Sequence, residues 1–224
     1  MRACIYTAIF GGYESLKPPL EPSREGVDLI CFADDPHSQA NGWRSAQRHP
    51  AFAVPRMDAK WYRMNSDLVL PEYDVTIWVD ASFQLGNVDQ FVAACLKDLG
   101  PCDTALFRHP ERSNIYDEAE APLNVWARKY ADQPLLEQVA RYRWEGLPDD
   151  HILWAGGIQV RRARSRLVSE INRRWFAECV RWSFQDQLSL PYVLWDLRAQ
   201  GLVGTLEGSV YRGPNHEWEK GPDR

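Results

Sequence analysis

The stretch TIWVDASFQL, residues 76–85, decides the fold class of this chain of 224 residues. Its apolar and β-branched first half is typical of a buried strand. The run stops at a carboxylate, Asp80, and two small residues follow it. A carboxylate in such a place is costly unless something pairs with it. We therefore expect Asp80 to mark the edge of a ligand site at the end of a strand.

Other short apolar runs resemble strands that are buried on both faces, as is usual in parallel sheets. Together with Val75–Val79 they cover residues 3–10, 27–33, 104–107 and 158–160. Helical patterns cover residues 56–69, 88–99, 165–182 and 185–197. Pro191 should kink the last of these or start a helix there. This alternation predicts an α/β fold with a mostly parallel central sheet flanked by helices.

Length and charge limit the possible classes of protein. A chain of 224 residues suffices for one substantial domain and is short for two. We assign residues 1–212 to that domain and residues 213–224 to a polar tail, which would be ordered only if it folds over a site. The net charge of −5 disfavours nucleic acid as the main partner.

The cysteines and the N-terminus bear on the cellular setting. The five cysteines form no CxxC pair, and Cys4, Cys31 and Cys95 lie inside apolar patterns. This usage favours a reduced environment and disfavours a zinc site. The apolar run within residues 1–12 is too short to span a membrane, and no convincing cleavage site follows it. We therefore expect a cytoplasmic chain without a transmembrane segment.

Glycines or carboxylates mark several strand ends, where a parallel sheet binds ligands. They are Gly11-Gly12, Asp34-Asp35, Asp80 and Gly156-Gly157. Each one alone is better explained as an ordinary turn at a strand end. Their recurrence in one small domain favours a shared site.

Two groups of basic residues could hold anions. Lys60 and Arg63 lie three positions apart on one helix face, where they could bind a diphosphate or simply face solvent. His109 and Arg112 follow a predicted strand and could bind a phosphate or an anionic sugar. A charged loop is the alternative interpretation of this second group.

The segment RWSFQDQLSLPYVLW, residues 181–195, places Asp186 and Gln187 among aromatic residues and leucines. A carboxylate beside an amide suits hydrogen bonding to vicinal sugar hydroxyls. Asp186 could equally cap a helix. In the tail, His216 could reach a metal ion or a pyrophosphate, although an ordinary surface histidine is the simpler interpretation.

Six segments occur in a distinctive order: YTAIFGGYE, DLICFADD, AKWYR, LPEYDVTIWVDAS, FRHPERSNIYDEA and WFAECVRWSFQDQLSLPYVL. Together they resemble a glycosyltransferase-like domain family first catalogued as a domain of unknown function. Its members include bacterial proteins and plant Golgi proteins linked to mucilage and cell-wall polysaccharides. The resemblance spans residues 4–195. It implies a GT-A fold, a Rossmann-like α/β sandwich that binds nucleotide-diphosphate sugars.

The resemblance also implies a set of site residues. An Asp-x-Asp motif that holds a divalent ion in this fold matches Asp80-Ala81-Ser82, with a neutral serine in the last position. Asp80 would then hold Mn²⁺ or Mg²⁺ with His216 and water, or Lys60 and Arg63 would replace the charge of the ion. The other donor-binding residues that it implies are Tyr6, Thr7, Phe10 and Asp34 around the nucleoside, Ser82, Gly156-Gly157 leaving room for a sugar, and Asp186-Gln187 on the sugar hydroxyls.

These residues predict glycosyl transfer from a nucleotide-diphosphate sugar to a hydroxyl acceptor, such as a glycan, a polysaccharide or another bacterial glycoconjugate. Asp186 is the candidate base of an inverting route, whereas in a retaining route the departing phosphate would be the base. Two other functions stay open. One is a hydrolase that uses a metal ion on Asp80 and on His109 or His216. The other is a non-catalytic domain that binds a nucleotide sugar or a carbohydrate.

Overall fold

The computed structural model describes residues 1–35, 40–125 and 127–219, with the backbone alone considered for residues 122–128. Seven strands form the main sheet: β1 (Ala3–Ile9), β2 (Asp28–Ala33), β3 (Arg44–Gln47), β4 (Val75–Val79), β6 (Thr104–Arg108), β7 (Trp154–Arg162) and β8 (Val203–Thr205). Their order across the sheet is β3-β2-β1-β4-β7-β6-β8. Only β7 among these strands runs antiparallel to its neighbours. The predicted α/β class with a mostly parallel sheet is confirmed.

Eight helices flank this sheet within the described ranges. They are α1 (Pro55–Met64), α2 (Ser66–Val69), α3 (Val88–Leu99), α4 (Ile115–Val125), α5 (Ala127–Tyr130), α6 (Leu135–Glu145), α7 (Arg166–Arg181) and α8 (Asp186–Asp196). The proline at the start of α1 and the side-chain caps Asn87 on α3 and Ser165 on α7 define where these helices begin. None of the described helices is both long enough and apolar enough to cross a membrane.

Alternate residues of the central strands pack against opposite layers of helices. Ile77 and Val79 of β4 belong to the hydrophobic cluster that includes Phe91 of α3. Trp78 of the same strand packs with Tyr6 of β1 and with Tyr62 of α1 on the other face. Because both faces are covered, every residue of the strand is buried, which is why its sequence is apolar at each position except Thr76.

Several predicted boundaries differ from the structure for identifiable reasons. The predicted strand at 158–160 is the centre of the longer β7. Its apolar sequence indicated a strand buried on both faces but could not indicate that the strand runs antiparallel to β4. The predicted helix at 56–69 is interrupted at Asn65, whose side chain donates to the carbonyl of Trp61 at 2.8 Å. Pro191 lies inside α8 without ending it, in a helix that is buried in the core.

A second, small sheet holds the C-terminal segment beside the end of β4. Its strands, in order, are β5 (Phe83–Leu85), β10 (His216–Trp218) and β9 (Arg212–Gly213). The Glu219 N–H donates to the carbonyl of Ser82 at 3.0 Å, and Lys17 pairs with the Glu219 carboxylate at 2.6 Å. The predicted tail, residues 213–224, is therefore paired with the domain over 213–219; its last residues, 220–224, lie outside the described part of the chain.

Candidate active site

An open cavity of about 760 Å³ lies at the edge of the sheet where β1, β4 and β6 end. The antiparallel β7 begins at the same edge, since the Asp80 N–H donates to the carbonyl of Gly157 at 2.9 Å. The segments that follow these strands form its walls, together with α1, α5 and the start of α8. This is the edge at which α/β sheets bind ligands.

The cavity brings together most of the site residues predicted from sequence. Those that line it are Lys60, Arg63, Asp80, Ser82, His109, Arg112, Gly156, Gly157, Asp186 and Gln187. The predicted residues that do not line it are Tyr6, Thr7, Phe10, Asp34 and His216.

Asp80 has the partner that a carboxylate at a strand end requires. The indole N–H of Trp78 donates to its Oδ1 at 2.6 Å. Its carbonyl accepts from the Phe83 N–H at 3.0 Å, which closes the turn through Ala81 and Ser82. The carboxylate is thus fixed in orientation where β4 opens onto the cavity.

Glu14 is a cavity residue that the sequence did not identify. It follows Gly11-Gly12 at the end of β1, in the segment YTAIFGGYE. This position after a strand was the feature from which the sequence could have predicted it as a site residue. Burial and the negative charge of Asp80 raise the pKa of Glu14 to about 7. Two carboxylates thus face one part of the cavity. In the described ranges, no group of three or more histidine, cysteine, aspartate or glutamate side chains could hold a metal ion.

Asp186 lies deep in the cavity wall, at the first position of α8, and pairs with two cations. Its Oδ2 is 2.7 Å from the Lys60 ammonium and 2.5 Å from Nη1 of Arg63. The side chains of Asp186 and Arg63 are only 3% and 4% exposed. Burial acts to raise the pKa of Asp186, but Arg63 and Lys60 outweigh it and hold that pKa below its usual value.

These contacts correct two sequence-based assignments. A carboxylate with a lowered pKa and two cationic partners is a poor proton acceptor at neutral pH, so Asp186 does not suit the role of catalytic base. Lys60 and Arg63 share the charge of Asp186, so they are not the free cations that the helix spacing suggested. The three side chains form a cluster in which two cations share one carboxylate, so it keeps one net positive charge; Arg63 and Asp186 are buried, whereas the Lys60 side chain is 20% exposed.

Tyr6 supports this cluster from below the cavity. Its hydroxyl donates to the Arg63 carbonyl at 2.9 Å, and the buried Arg161 donates to the same carbonyl at 2.6 Å and to the Tyr6 oxygen at 2.9 Å. The guanidinium of Arg63 lies 5.1 Å from the ring centre of Trp175. The resemblance had implied that Tyr6 contacts the nucleoside. Its side chain instead positions Arg63 and does not reach the cavity.

Thr7, Phe10 and Asp34 also lie away from the cavity. Thr7 is buried in the core, and Phe10 stacks on Tyr62 with ring centres 5.3 Å apart. The Asp34 carboxylate accepts from the Gly11 N–H at 2.9 Å and so stabilises the loop after β1. Thr7 lies within β1, and side chains of a strand buried on both faces point into the helix layers. Phe10 and Asp34 follow the ends of β1 and β2, but their side chains are used in the core and in the loop.

Gly156 and Gly157 make room for protein side chains and not for a sugar. A Cβ atom at Gly156 would overlap the Arg63 guanidinium, whose Nη2 donates to the Gly156 carbonyl at 2.5 Å. A Cβ atom at Gly157 would lie 2.8 Å from the Phe83 ring. The two glycines therefore allow Arg63 and Phe83 to approach β7.

His216 does not join Asp80 in a metal site. Its ring packs among Phe83, Phe91 and Phe107, with centroid distances of 6.2, 5.8 and 5.6 Å. Its Nε2 lies 3.0 Å from the Ser209 carbonyl, to which it donates. Burial lowers the pKa of His216, so the ring acts as a neutral part of the core.

His109 faces the cavity, but its hydrogen bonds are used within its own turn. Its Nδ1 accepts from the backbone N–H groups of Glu111 and Arg112 at 3.2 and 3.0 Å. Burial, followed by the charge of Arg112, lowers the pKa of His109 to about 4. The ring is thus neutral at pH 7 and does not suit the predicted role in anion binding.

Arg112 belongs to a chain of polar contacts along the same wall. Its Nε lies 2.5 Å from Oε2 of Glu118, a buried carboxylate. Gln185 donates to the other oxygen of Glu118 at 2.7 Å, and the Tyr130 hydroxyl donates to Gln185 at 2.7 Å. Most of the charge of Arg112 is therefore engaged inside the protein, which leaves it poorly suited to the predicted anion site.

Two further cations, Arg56 and Lys129, line the cavity and were not identified from sequence. The Arg56 guanidinium lies 5.4 Å from the ring centre of Phe184, and the Lys129 ammonium lies 5.0 Å from that of Tyr130. These two rings contact each other at 5.3 Å. Arg56 lies in the helix predicted after Pro55, so its position was predictable although its role was not. No sequence pattern predicted α5, so nothing in the sequence indicated that Lys129 reaches the cavity.

Lys129 is exposed at the mouth of the cavity, yet its charge is disfavoured there. Loss of hydration around its ammonium, followed by the positive charges of Lys60 and Arg56, lowers its pKa to about 8. An anion bound nearby would relieve that repulsion.

Comparisons with known proteins agree with this architecture. The family described as "TOD1/MUCI70, glycosyltransferase-like domain" matches residues 37–206, which include Asp80 and Asp186. The crystal structure of mouse xyloside xylosyltransferase 1 in its apo form is similar over 92% of this chain and 84% of that chain, with a TM-score of 0.51 and 9% sequence identity. At this identity the likeness concerns the fold alone. No curated protein matches the chain significantly.

Proposed function

Because the chain belongs to the TOD1/MUCI70 glycosyltransferase-like domain family, we propose that it transfers a sugar from a nucleotide-diphosphate sugar to a hydroxyl acceptor, such as a glycan or polysaccharide. The observation that carries this proposal is the cavity at the ends of β1, β4 and β6, where cations, carboxylates and aromatic rings face one space of about 760 Å³. A space of roughly 300–1,000 Å³ is usual for small-molecule ligands. The family match agrees with the resemblance noted in the sequence.

Glycosyl transfer breaks the bond between the anomeric carbon and the diphosphate oxygen and forms a bond from that carbon to the acceptor oxygen. The nucleoside diphosphate leaves with the electron pair, and the proton of the acceptor hydroxyl passes to the departing phosphate or to a carboxylate of the cavity. Stabilising the charge on that leaving group is usually the largest electrostatic contribution to such a rate. Cationic side chains of the cavity suit this role.

Polar and aromatic groups of the cavity suit the sugar portions of the two substrates. Gln187, beside the Asp186 cluster, offers an amide for hydroxyl groups. Tyr211 and Trp218 line the cavity near the C-terminus, with ring centres 5.4 Å apart. Aromatic faces with a polar edge are suited to carbohydrate. We assign Asp186 to the positioning of Lys60 and Arg63, because its lowered pKa disfavours a role as base.

Mn²⁺ or Mg²⁺ stays a prediction for this site. Asp80 and Glu14 are the carboxylates that would hold the ion. Such ions are often held by one or two carboxylates together with substrate phosphates and water. The ion would supply positive charge against the diphosphate. The hydrolase alternative is not proposed, because the two histidines that it requires are used otherwise: His216 packs among aromatic rings, and Nδ1 of His109 accepts from two backbone N–H groups.

A panel of nucleotide-diphosphate sugars, each tested with and without Mn²⁺, would test the proposal. We expect one nucleotide to raise the melting temperature and the matching donor to release nucleoside diphosphate in the presence of glycan acceptors. Asp80→Ala removes a carboxylate that would hold the divalent ion, so it should lower that rate by about 10²–10³-fold, the usual cost of losing a group that stabilises the leaving charge. Asp150→Ala, at an exposed position outside the cavity, is the matched control.

Two outcomes would contradict this function. A nucleotide that binds without any turnover would indicate a non-catalytic binding domain. Unchanged turnover in Asp80→Ala would remove Asp80 from the site.

A further inference from the structure

Among the described residues, five lysine and arginine side chains line the cavity: Arg56, Lys60, Arg63, Arg112 and Lys129. Three of them are paired with acids. Lys60 and Arg63 contact Asp186, and Arg112 contacts Glu118 at 2.5 Å and Glu111 at 3.2 Å. Arg56 and Lys129 have no acidic partner within ion-pair distance in the described part of the chain.

An anionic ligand meets these two kinds of cation at different cost. To bind Arg63 it would have to displace Asp186, which is 3% exposed and would lose both of its cationic partners. Leaving a buried charge unpaired is strongly unfavourable. To bind Arg56 or Lys129 it would break no ion pair of the described residues. These two cations are therefore available to an anion at the lowest cost, whereas Lys60, with a side chain 20% exposed, stays paired with Asp186.

The two unpaired cations are held by contacts that leave their charges accessible. Arg56 lies in the first turn of α1 against Phe184, and Lys129 lies in α5 against Tyr130. Cation–π contacts restrain a cation over a ring without neutralising it. Since Phe184 and Tyr130 also contact each other, the cations project from one continuous aromatic wall.

The charge of this pair matches one part of the proposed donor. A diphosphate esterified at both ends carries two negative charges at neutral pH, and Arg56 with Lys129 supplies two positive ones. The planar guanidinium of Arg56 can bind two phosphate oxygens at once, while the ammonium of Lys129 acts as a point charge. Glu14 and Asp80 stand in the same cavity and would repel a diphosphate placed beside them without a cation between.

We propose that Arg56 and Lys129 bind the diphosphate of the donor, while Lys60 and Arg63 hold Asp186. The identity of the ligand as a nucleotide-diphosphate sugar rests on the proposed function. The position of the anion at Arg56 and Lys129 is a separate claim. It also implies that nucleoside diphosphate retains measurable affinity when divalent ions are removed.

Titration calorimetry with inorganic pyrophosphate and with UDP, GDP, ADP and CDP would test it, in EDTA and again in Mn²⁺. Arg56→Ala and Lys129→Ala should each weaken binding of pyrophosphate, and of whichever nucleoside diphosphate binds, by about 10- to 100-fold, the usual effect of losing one charge-assisted contact. Lys129→Gln serves where the alanine variant is poorly folded.

Matched controls come from exposed cations outside the cavity. Arg24→Ala is the control for Arg56, and Lys97→Ala, at a side chain 74% exposed, is the control for Lys129. Both controls should bind as the wild type does. The corresponding nucleoside monophosphate should be affected less than the diphosphate, because it lacks one of the two phosphate groups.

The outcomes separate this proposal from the proposed function. If a nucleoside diphosphate binds equally well to the wild type and to both cavity variants, the site at Arg56 and Lys129 is wrong while the transferase function stands. If pyrophosphate binds through these residues but no nucleotide binds or turns over, the anion site stands and the function fails. If the wild type binds neither pyrophosphate nor any nucleotide, both are overturned.

Discussion

The two sets of cations in the cavity differ in whether an acidic side chain pairs with them. Lys60 and Arg63 share the carboxylate of Asp186 at 2.7 and 2.5 Å. Within the described residues, Arg56 and Lys129 have no such partner and lie against aromatic rings. The same residue types therefore serve two ends in one cavity: the paired cations fix the shape of the wall, and the unpaired ones retain attraction for an anion.

Burial explains why the two sets differ. Arg63 lies almost completely out of water, where a charge must be paired to be tolerated. Lys129 is exposed as a residue and Arg56 is half-buried, so neither needs a carboxylate partner as Arg63 does, although the ammonium of Lys129 is partly desolvated and its pKa is lowered. Changes to the first set should therefore act mainly on stability, and changes to the second mainly on binding.

The largest loss of stability is expected from removing the Asp186 carboxylate, which pairs with Lys60 and Arg63. Asp186→Ala would leave Arg63 buried without a partner, and breaking such a pair costs about 3–5 kcal/mol of unfolding free energy. Arg56→Ala should change that free energy by at most about 1 kcal/mol, the usual worth of an exposed cation–π contact such as the one with Phe184. Urea unfolding of both variants beside Asp150→Ala measures the difference. Equal losses in Asp186→Ala and Arg56→Ala would abolish the distinction between the two sets.

Features that depend on local sequence were predictable. The strand Val75–Val79 and the helix Val88–Leu99 lie where the sequence indicated, because apolar periodicity, Asn87 and Gly100 define them locally. Asp80 was recognisable because a buried strand stops at it. Its partner Trp78 lies two residues away in the same segment.

Features that depend on tertiary contacts were not predictable. The spacing of Lys60 and Arg63 predicted correctly that they share one helix face. It could not predict that Asp186 of α8 would form ion pairs with both of them. Tyr6 lies on a strand buried on both faces, where sequence does not show which layer a side chain enters. Lys129 lies in a short helix that no periodic pattern marks.

A smaller effect is expected from crowding the paired set without changing its charge. Gly156→Ala places a methyl group against the Arg63 guanidinium, and such overpacking typically costs about 1–3 kcal/mol of unfolding free energy. Gly201→Ala is the matched control, because a Cβ atom there would meet nothing within 4 Å. If the two variants melt alike, then the close approach of Arg63 to β7 does not contribute to stability.

The smallest effect is expected from pH, and it belongs to the unpaired set. The pKa of Lys129 is lowered to about 8, so its ammonium is largely charged below that pH and loses its proton above it. A bound anion favours the protonated form. Affinity for a nucleoside diphosphate should therefore be steady up to about pH 8 and then fall, by at most about tenfold per pH unit.

The charged and titratable groups that face Lys129 set the range of the measurement. They are Arg56 and Lys60 of α1, Asp186 of α8, Asp80, Glu14 and the neighbouring Tyr130. Glu14, with its pKa of about 7, and the ligand phosphate, with a pKa near 6, are mostly ionised above about pH 7.5. Calorimetry from about pH 7.5 to 9.5 therefore isolates Lys129. Lys129→Arg keeps its charge throughout, so its affinity should not fall; the same fall in this variant would assign the titration to another group.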